Sequence, residues 1–210
     1  MTKEEKLRAE EQRTYEMQAY EREYAAYAAI CGIDEVGRGP FAGPVMAGAV
    51  ILPKNCDILY INDSKKLSAK KREELSAEIK EKAVAWAVGR IEPGRIDEIN
   101  ILQATYEAMR LAINNLSVKP DILLNDAVTI PSVDIKQVSI IKGDAKSLSI
   151  AAASIIAKVA RDAVMDEYAL RYPQYDFISN KGYGTPKHIA ALREFGPTPI
   201  HRRSFIGKYI

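Results

Sequence analysis

The stretch Cys31–Leu52, CGIDEVGRGPFAGPVMAGAVIL, decides the fold. It opens as an apolar strand and then presents two adjacent carboxylates, Asp34 and Glu35. A Gly37-Arg38-Gly39 turn and Pro40 follow, and a second apolar run extends from Val45 to Leu52. Consecutive strand residues point to opposite faces of a sheet. Asp34 and Glu35 can therefore serve one point only near the strand's end, where the chain is already turning. An acidic pair beside a glycine-flanked arginine suits a site that holds cations and lies against a phosphate backbone. The glycines let main-chain N–H groups approach a ligand that a side chain would block. Alone, these residues also fit a β-hairpin with a charged bend, so the remaining chain must decide.

Residues 2–28 contain no Gly or Pro and are rich in Glu, Lys, Arg, Ala and Tyr. They predict a helix with Tyr20, Tyr24 and Tyr27 along one side, an extension over 1–29 in an accessory role ahead of a catalytic domain over 30–210. Ser68 is placed to cap a helix running to about Lys82, with Leu75 and Ile79 on its buried side. Residues 83–91 then alternate toward a third strand, and three strands joined by short turns predict an antiparallel meander. After the Pro93-Gly94 break, Ile96, Ile99, Leu102, Tyr106, Met109, Ile113 and Leu116 recur at helical spacing. DILLNDAV is a short apolar strand ending at Asp126, and a loop containing Pro131 leads to QVSIIKGDA, a further buried strand ending at Asp144. From Ser147 to about Arg171 the spacing predicts a long helix with Leu148, Ala152, Ile155, Ile156, Val159 and Ala163 facing a core. The later strands pair in parallel, giving a mixed five-stranded sheet with helices on its faces.

Three strands thus end in acids, Asp34-Glu35, Asp126 and Asp144, where sites form in open α/β sheets. Four gathered carboxylates repel one another unless divalent cations accompany them. Hard oxygen donors without a Cys or His cluster predict Mg²⁺ or Mn²⁺ rather than zinc. Two such ions ~3.5–4 Å apart can activate a water and stabilise the leaving oxygen of a phosphodiester.

The motifs IDEVGRGPFAGPV, NDSKKLS, LLNDAV, KGDAKSLSIAAASIIAKVARD, NKGYGT and HRRSF, in this order across about 30–206, resemble bacterial ribonuclease HII. The resemblance implies a ribonuclease-H-like α/β fold and cleavage of the RNA strand of RNA–DNA hybrids. It also implies incision at single ribonucleotides embedded in duplex DNA, leaving 3′-hydroxyl and 5′-phosphate ends. Asp34, Glu35, Asp126 and Asp144 would bind the catalytic metals. Gly37, Arg38 and Gly39 would contact the ribonucleotide's 2′-hydroxyl and a neighbouring phosphate, and Tyr183 would read the RNA–DNA junction. Lys65, Lys66 and Arg202 are further expected substrate contacts.

Several bland assignments compete with functional ones. Asp162, four residues after Lys158, is expected to form a surface ion pair rather than ligate metal. His188 and His201 have no carboxylate or nucleophile partner visible in the sequence and are expected to be structural. A resolvase or transposase core would share the acids but lacks the Gly-Arg-Gly turn. A non-catalytic hybrid-binding module conflicts with the acidic set, which repels nucleic acid without metal.

The chain has 210 residues, 47% hydrophobic and 28% charged, the composition of one globular domain with an appendage. No apolar run approaches the ~20 residues of a membrane span, and MTKEEKLRAEE is too polar for a signal peptide. Two cysteines make no framework, so a reduced cytoplasmic setting is expected, and the chain is separately expected to be monomeric. Net charge is only +2, but residues 181–210 hold six Lys or Arg and one acid, a basic tail suited to phosphates.

Overall fold

The computed structural model describes residues 1–210. Its centre is a five-stranded sheet of β1 (Ile30–Val36), β2 (Val45–Ile51), β3 (Ala85–Ile91), β4 (Ile122–Asp126) and β5 (Lys136–Ile140). The strand order is β3-β2-β1-β4-β5. β1 and β2 pair antiparallel, as do β2 and β3, whereas β1–β4 and β4–β5 are parallel. This is the expected mixed sheet, but one route to it differs. β2 and β3 are joined by the long excursion 52–84 carrying the helix Ala69–Lys82, not by a short turn. β4 and β5 are parallel across the helix-free loop 127–135, which Gln137 pins by accepting from Ile130 N at 2.8 Å and donating to Ile130 O at 2.9 Å.

Two long helices sandwich the sheet, Pro93–Asn114 on one face and Leu148–Arg171 on the other. In chain order the helices are α1 (Lys3–Met17), α2 (Ala19–Glu23), α3 (Ala69–Lys82), α4 (Pro93–Asn114), α5 (Leu148–Arg171), α6 (Phe177–Asn180), α7 (Pro186–Phe195) and α8 (Arg203–Ile206). Covered on both sides, β2 is buried along its whole length, which is why it reads as a continuous apolar run. α5 lies almost on the backbone of β1 and β2. A Cβ on Gly32 would come within 2.1 Å of Ser149 C, and one on Gly48 within 2.3 Å of Ala153 O. Only glycine permits that approach. Ser147 caps α5 and Ser68 caps α3, each accepting from an amide three residues on. Ile155 and Ile156 are fully buried, and truncating either to Ala would cost about 2–5 kcal/mol.

Three details depart from sequence expectation. α4 breaks at Asn100 (φ 68°), whose Oδ1 accepts from Leu102 N and Gln103 N and starts the helix afresh. The apolar spacing loses phase there, and Leu102 is exposed while Ile96 and Met109 are buried. On α5 the buried stripe runs through Arg161, Val164 and Met165, which leaves Ala163 in solvent. β5 is an exposed edge strand rather than a buried one, and it ends at Ile140, so Asp144 stands beyond it in the 3₁₀ turn Gly143–Ala145.

The N-terminal extension is two helices, broken at Gln18, not one. Met17 joins the core beneath α3 and α5, and Tyr20, Tyr24 and Tyr27 do pack together against the apolar side of β4 and β5. At the other end, α6, α7 and α8 enclose a separate small core around Tyr175, Phe177, Leu192 and Ile206.

Candidate active site

Because β1 and β4 run parallel with Ile33 opposite Asn125, Asp34 and Asp126 leave the sheet at the same edge. Asp126 pairs in register with Ile140, and the following turn returns Asp144 to the same rim. That return is held by a 2.7 Å bond from Gly143 N to Asp126 Oδ1. Asp34 is buried on the α5 side, where its Oδ1 accepts from Glu35 N at 2.8 Å and the nearby Ser154 favours its charged form. Burial holds the Asp34 carboxyl well above the usual carboxylate range, and the charges of Glu35 and Asp126 push it further. Burial also raises Glu35, opposed by the Arg38 guanidinium at 3.5 Å. Asp144 is raised by burial, then by Asp126 and Asp63, with Lys65 opposing.

The structure therefore brings all four expected carboxylates to one rim and adds Asp63, which the sequence reading missed. No three of them close on one point at metal-ligand distance. Burial is the main cause of their raised pKa values, and the charges of neighbouring carboxylates add to it. The donor chemistry fits a hard divalent cation: every side chain is an oxygen donor, with no thiolate or imidazole among them.

The basic and aromatic wall is equally compact. Arg38 and Gly39 are exposed at the turn, and Gly37 adopts φ 88° with no room for a Cβ, which would stand 2.2 Å from Arg161 Nε. Tyr183 is 48% exposed, and its Cε1 lies 3.6 Å from where a Gly39 Cβ would sit. The turn and the tyrosine thus form one surface. Lys65 and Lys66 are exposed in the 3₁₀ turn Ser64–Lys66, with Lys65 close enough to Glu35 and Asp144 to oppose their shifts.

Arg202 is the correction. It is not a surface contact for phosphate but is fully buried. Its guanidinium donates to Gly37 O at 2.6 Å, Arg38 O at 2.9 Å and Gly43 O at 2.8 Å. The equally buried Arg161 donates to Pro44 O at 3.0 Å, Ala42 O at 3.1 Å and Lys181 O at 3.0 Å. Together the two guanidiniums tie the Gly-Arg-Gly loop to the loop bearing Tyr183. Desolvation lowers both pKa values, that of Arg202 to about 9. Arg161 had one sequence signal: it occupies the buried i,i+4 stripe Ala157-Arg161-Met165.

The histidines are structural, as expected, but they are each other's partners. His188 Nε2 and His201 Nε2 lie 2.9 Å apart, His188 Nδ1 bonds Tyr183 O at 2.9 Å, and His201 Nδ1 accepts from Thr198 N at 2.9 Å. The acceptor at His201 Nδ1 places the proton on its Nε2, so His188 accepts there and donates to Tyr183 O. Both rings are neutral and saturated in this chain. Burial lowers each pKa, and the neighbouring His188 helps bring His201 to about 4. Asp162 is also as expected, bonded to Lys158 at 2.7 Å with Arg72 at 3.7 Å.

A sheet of this order with carboxylates at the ends of its central strands defines a ribonuclease-H-like nuclease, and solved structures agree. Ribonuclease H2 from Pyrococcus horikoshii OT3 superposes with a TM-score of 0.73 at 28% identity, covering 86% of this chain and 96% of that one. Bst-RNase HIII in complex with Mn²⁺ shares the fold, with a TM-score of 0.62 at 16% identity over 84% of this chain and 67% of that one. The sequence model of Ribonuclease HII matches residues 31–208. Ribonuclease HII of Lachnoclostridium phytofermentans is 67% identical over 202 residues, 96% of this chain and 80% of the relative. The chain belongs to the ribonuclease HII family: it is a ribonuclease H, a phosphodiester hydrolase acting on RNA paired with DNA. None of its helices is long and apolar enough to cross a membrane.

Proposed function

We propose that the rim of Asp34, Glu35, Asp126 and Asp144 holds two divalent cations, Mg²⁺ or Mn²⁺. With them the chain would incise 5′ of single ribonucleotides in duplex DNA as well as within longer hybrids, leaving 3′-hydroxyl and 5′-phosphate ends. The observation that supports this is the arrival of four carboxylates at one rim from β1, β4 and the turn after β5. Bound there, divalent cations would activate the attacking water and neutralise charge developing on the phosphate. The chain's own groups orient the substrate. Main-chain groups of Gly37–Gly39 can approach a 2′-hydroxyl, the feature that distinguishes RNA from DNA. The ring of Tyr183, beside Gly39, can pack against the deoxyribose that follows. Lys65, whose charge reaches Glu35 and Asp144, can meet a phosphate held beside the carboxylates.

Asp126→Asn tests the reading, because Asn retains an oxygen to accept from Gly143 N while removing one charge. Cleavage of a duplex carrying one ribonucleotide should be nearly abolished in Mg²⁺, with duplex binding retained since repulsion of phosphate falls. Near-normal turnover by this variant would refute the assignment.

A further inference from the structure

The N-terminal extension is hydrogen-bonded through Glu21 to the turn that carries Asp144. Glu21 on α2 accepts through Oε1 from Ser147 Oγ at 2.6 Å and from Ser149 N at 2.9 Å. Ser147 is the N-cap of α5, and its Oγ accepts from Ile150 N at 3.3 Å. A hydroxyl has one proton. By taking it, Glu21 fixes the hydroxyl's orientation and leaves a lone pair for Ile150. The carboxylate also faces the positive end of a 24-residue helix.

The same turn carries the site. Ser147 N and Lys146 N both donate to Gly143 O, at 2.8 and 3.0 Å, and Asp144 lies between them and Gly143. Gly143 N in turn bonds Asp126 Oδ1. One continuous chain of hydrogen bonds therefore runs from Glu21 through Ser147 and Gly143 to Asp126, with Asp144 carried on the turn. Glu21 is itself rigidly delivered. Gln18 Nε2 bonds Cys56 O at 2.9 Å, Arg13 Nη2 bonds Ile61 O at 2.7 Å, and Lys136 Nζ bonds Tyr27 OH at 3.0 Å. Its second oxygen, Oε2, is buried without a protein partner.

We propose that Glu21 is a positioning residue for the nuclease reaction. It holds the turn 143–147 so that Asp144 and Asp126 keep their spacing, which makes the extension part of the catalytic architecture. This rests on reading Asp126 and Asp144 as catalytic. Glu21→Ala and Glu21→Gln are compared with the wild-type chain below their melting temperatures, on a duplex carrying one ribonucleotide. Glu21→Ala should lower kcat roughly 10-fold with KM unchanged, the size of a supporting-residue effect. Hydrogen exchange at the amides of 144–149 should accelerate in the same variant. Glu21→Gln, whose oxygen accepts the same two bonds, should restore both kcat and protection. Wild-type kcat in Glu21→Ala, or unchanged exchange at 144–149, would overturn the proposal. So would a raised KM at constant kcat, which would make the extension a duplex-gripping segment. If the carboxylate assignment itself were wrong, Asp126→Asn would remain active while the exchange comparison stayed readable.

Discussion

Replacing Arg202 by Met separates two roles for a residue that the HRRSF motif alone presents as a basic contact. The guanidinium makes four hydrogen bonds, two to Gly43 O and one each to Gly37 O and Arg38 O. Two effects compete when it is removed. A buried cation with no carboxylate partner is desolvated at a cost, seen in its pKa of about 9, and Met relieves that cost. Against this, the carbonyls of the buried Gly37 and Gly43 lose these donors, at about 1–3 kcal/mol each. Unlike the breaking of a buried ion pair, this change strands no charge, so the relieved desolvation offsets part of the loss. The net loss is therefore about 3 kcal/mol, or a Tm lower by roughly 6–12 °C for a chain of this size. Thermal unfolding and duplex binding across a salt series form the assay. The clamp reading requires the lower Tm, a kcat/KM reduced through the loosened Gly37–Gly39 turn, and an unchanged slope of log K against log salt. An unchanged Tm with a slope shallower by about 0.9 would mean a phosphate contact and refute the clamp.

Two further outcomes follow from the loop bearing Tyr183. Tyr183→Ala should lose most of the preference for a single embedded ribonucleotide over a continuous hybrid, measured as a ratio of kcat/KM values, whereas Tyr183→Phe keeps the ring and part of the preference; a wild-type ratio in the alanine variant would remove Tyr183 as junction reader. His201 is depressed to about 4 in the fold from about 6.5 unfolded, so its contribution to stability is complete above pH ~6.5 and is lost as pH falls toward 4. At pH 5.5 that loss is roughly 1 kcal/mol. The raised Asp34, Glu35 and Asp144 act in the opposite sense, since burial and then repulsion disfavour their charged forms, so the ring is followed directly by NMR titration. A midpoint near 6.5 would contradict the buried neutral pair.

The strands, their acidic ends and the helix caps were legible because each is a local pattern. A period of two or 3.6 marks the buried face, and Ser68 or Ser147 caps an amide three residues away. The Lys158–Asp162 pair was legible for the same reason, one helical turn. The gathering of Asp34, Glu35, Asp126 and Asp144 followed from strand ends on one edge. Where local pattern broke, reading failed: Asn100 reset the phase of α4, and Asp144 proved to lie past its strand.

What only the tertiary structure decided are the partners at long sequence separation. Glu21 meets Ser147 across 126 positions and Arg202 meets Gly37 across 165. Neither meeting leaves a trace in spacing. A main-chain carbonyl is the same acceptor at every residue, so no side-chain pattern announces that a guanidinium is bound for Gly37 O rather than for a phosphate in solvent. Chemistry that resides in side chains at strand ends was written in the sequence of this protein. The clamps that aim it use backbone groups, and only folding selects which ones they hold.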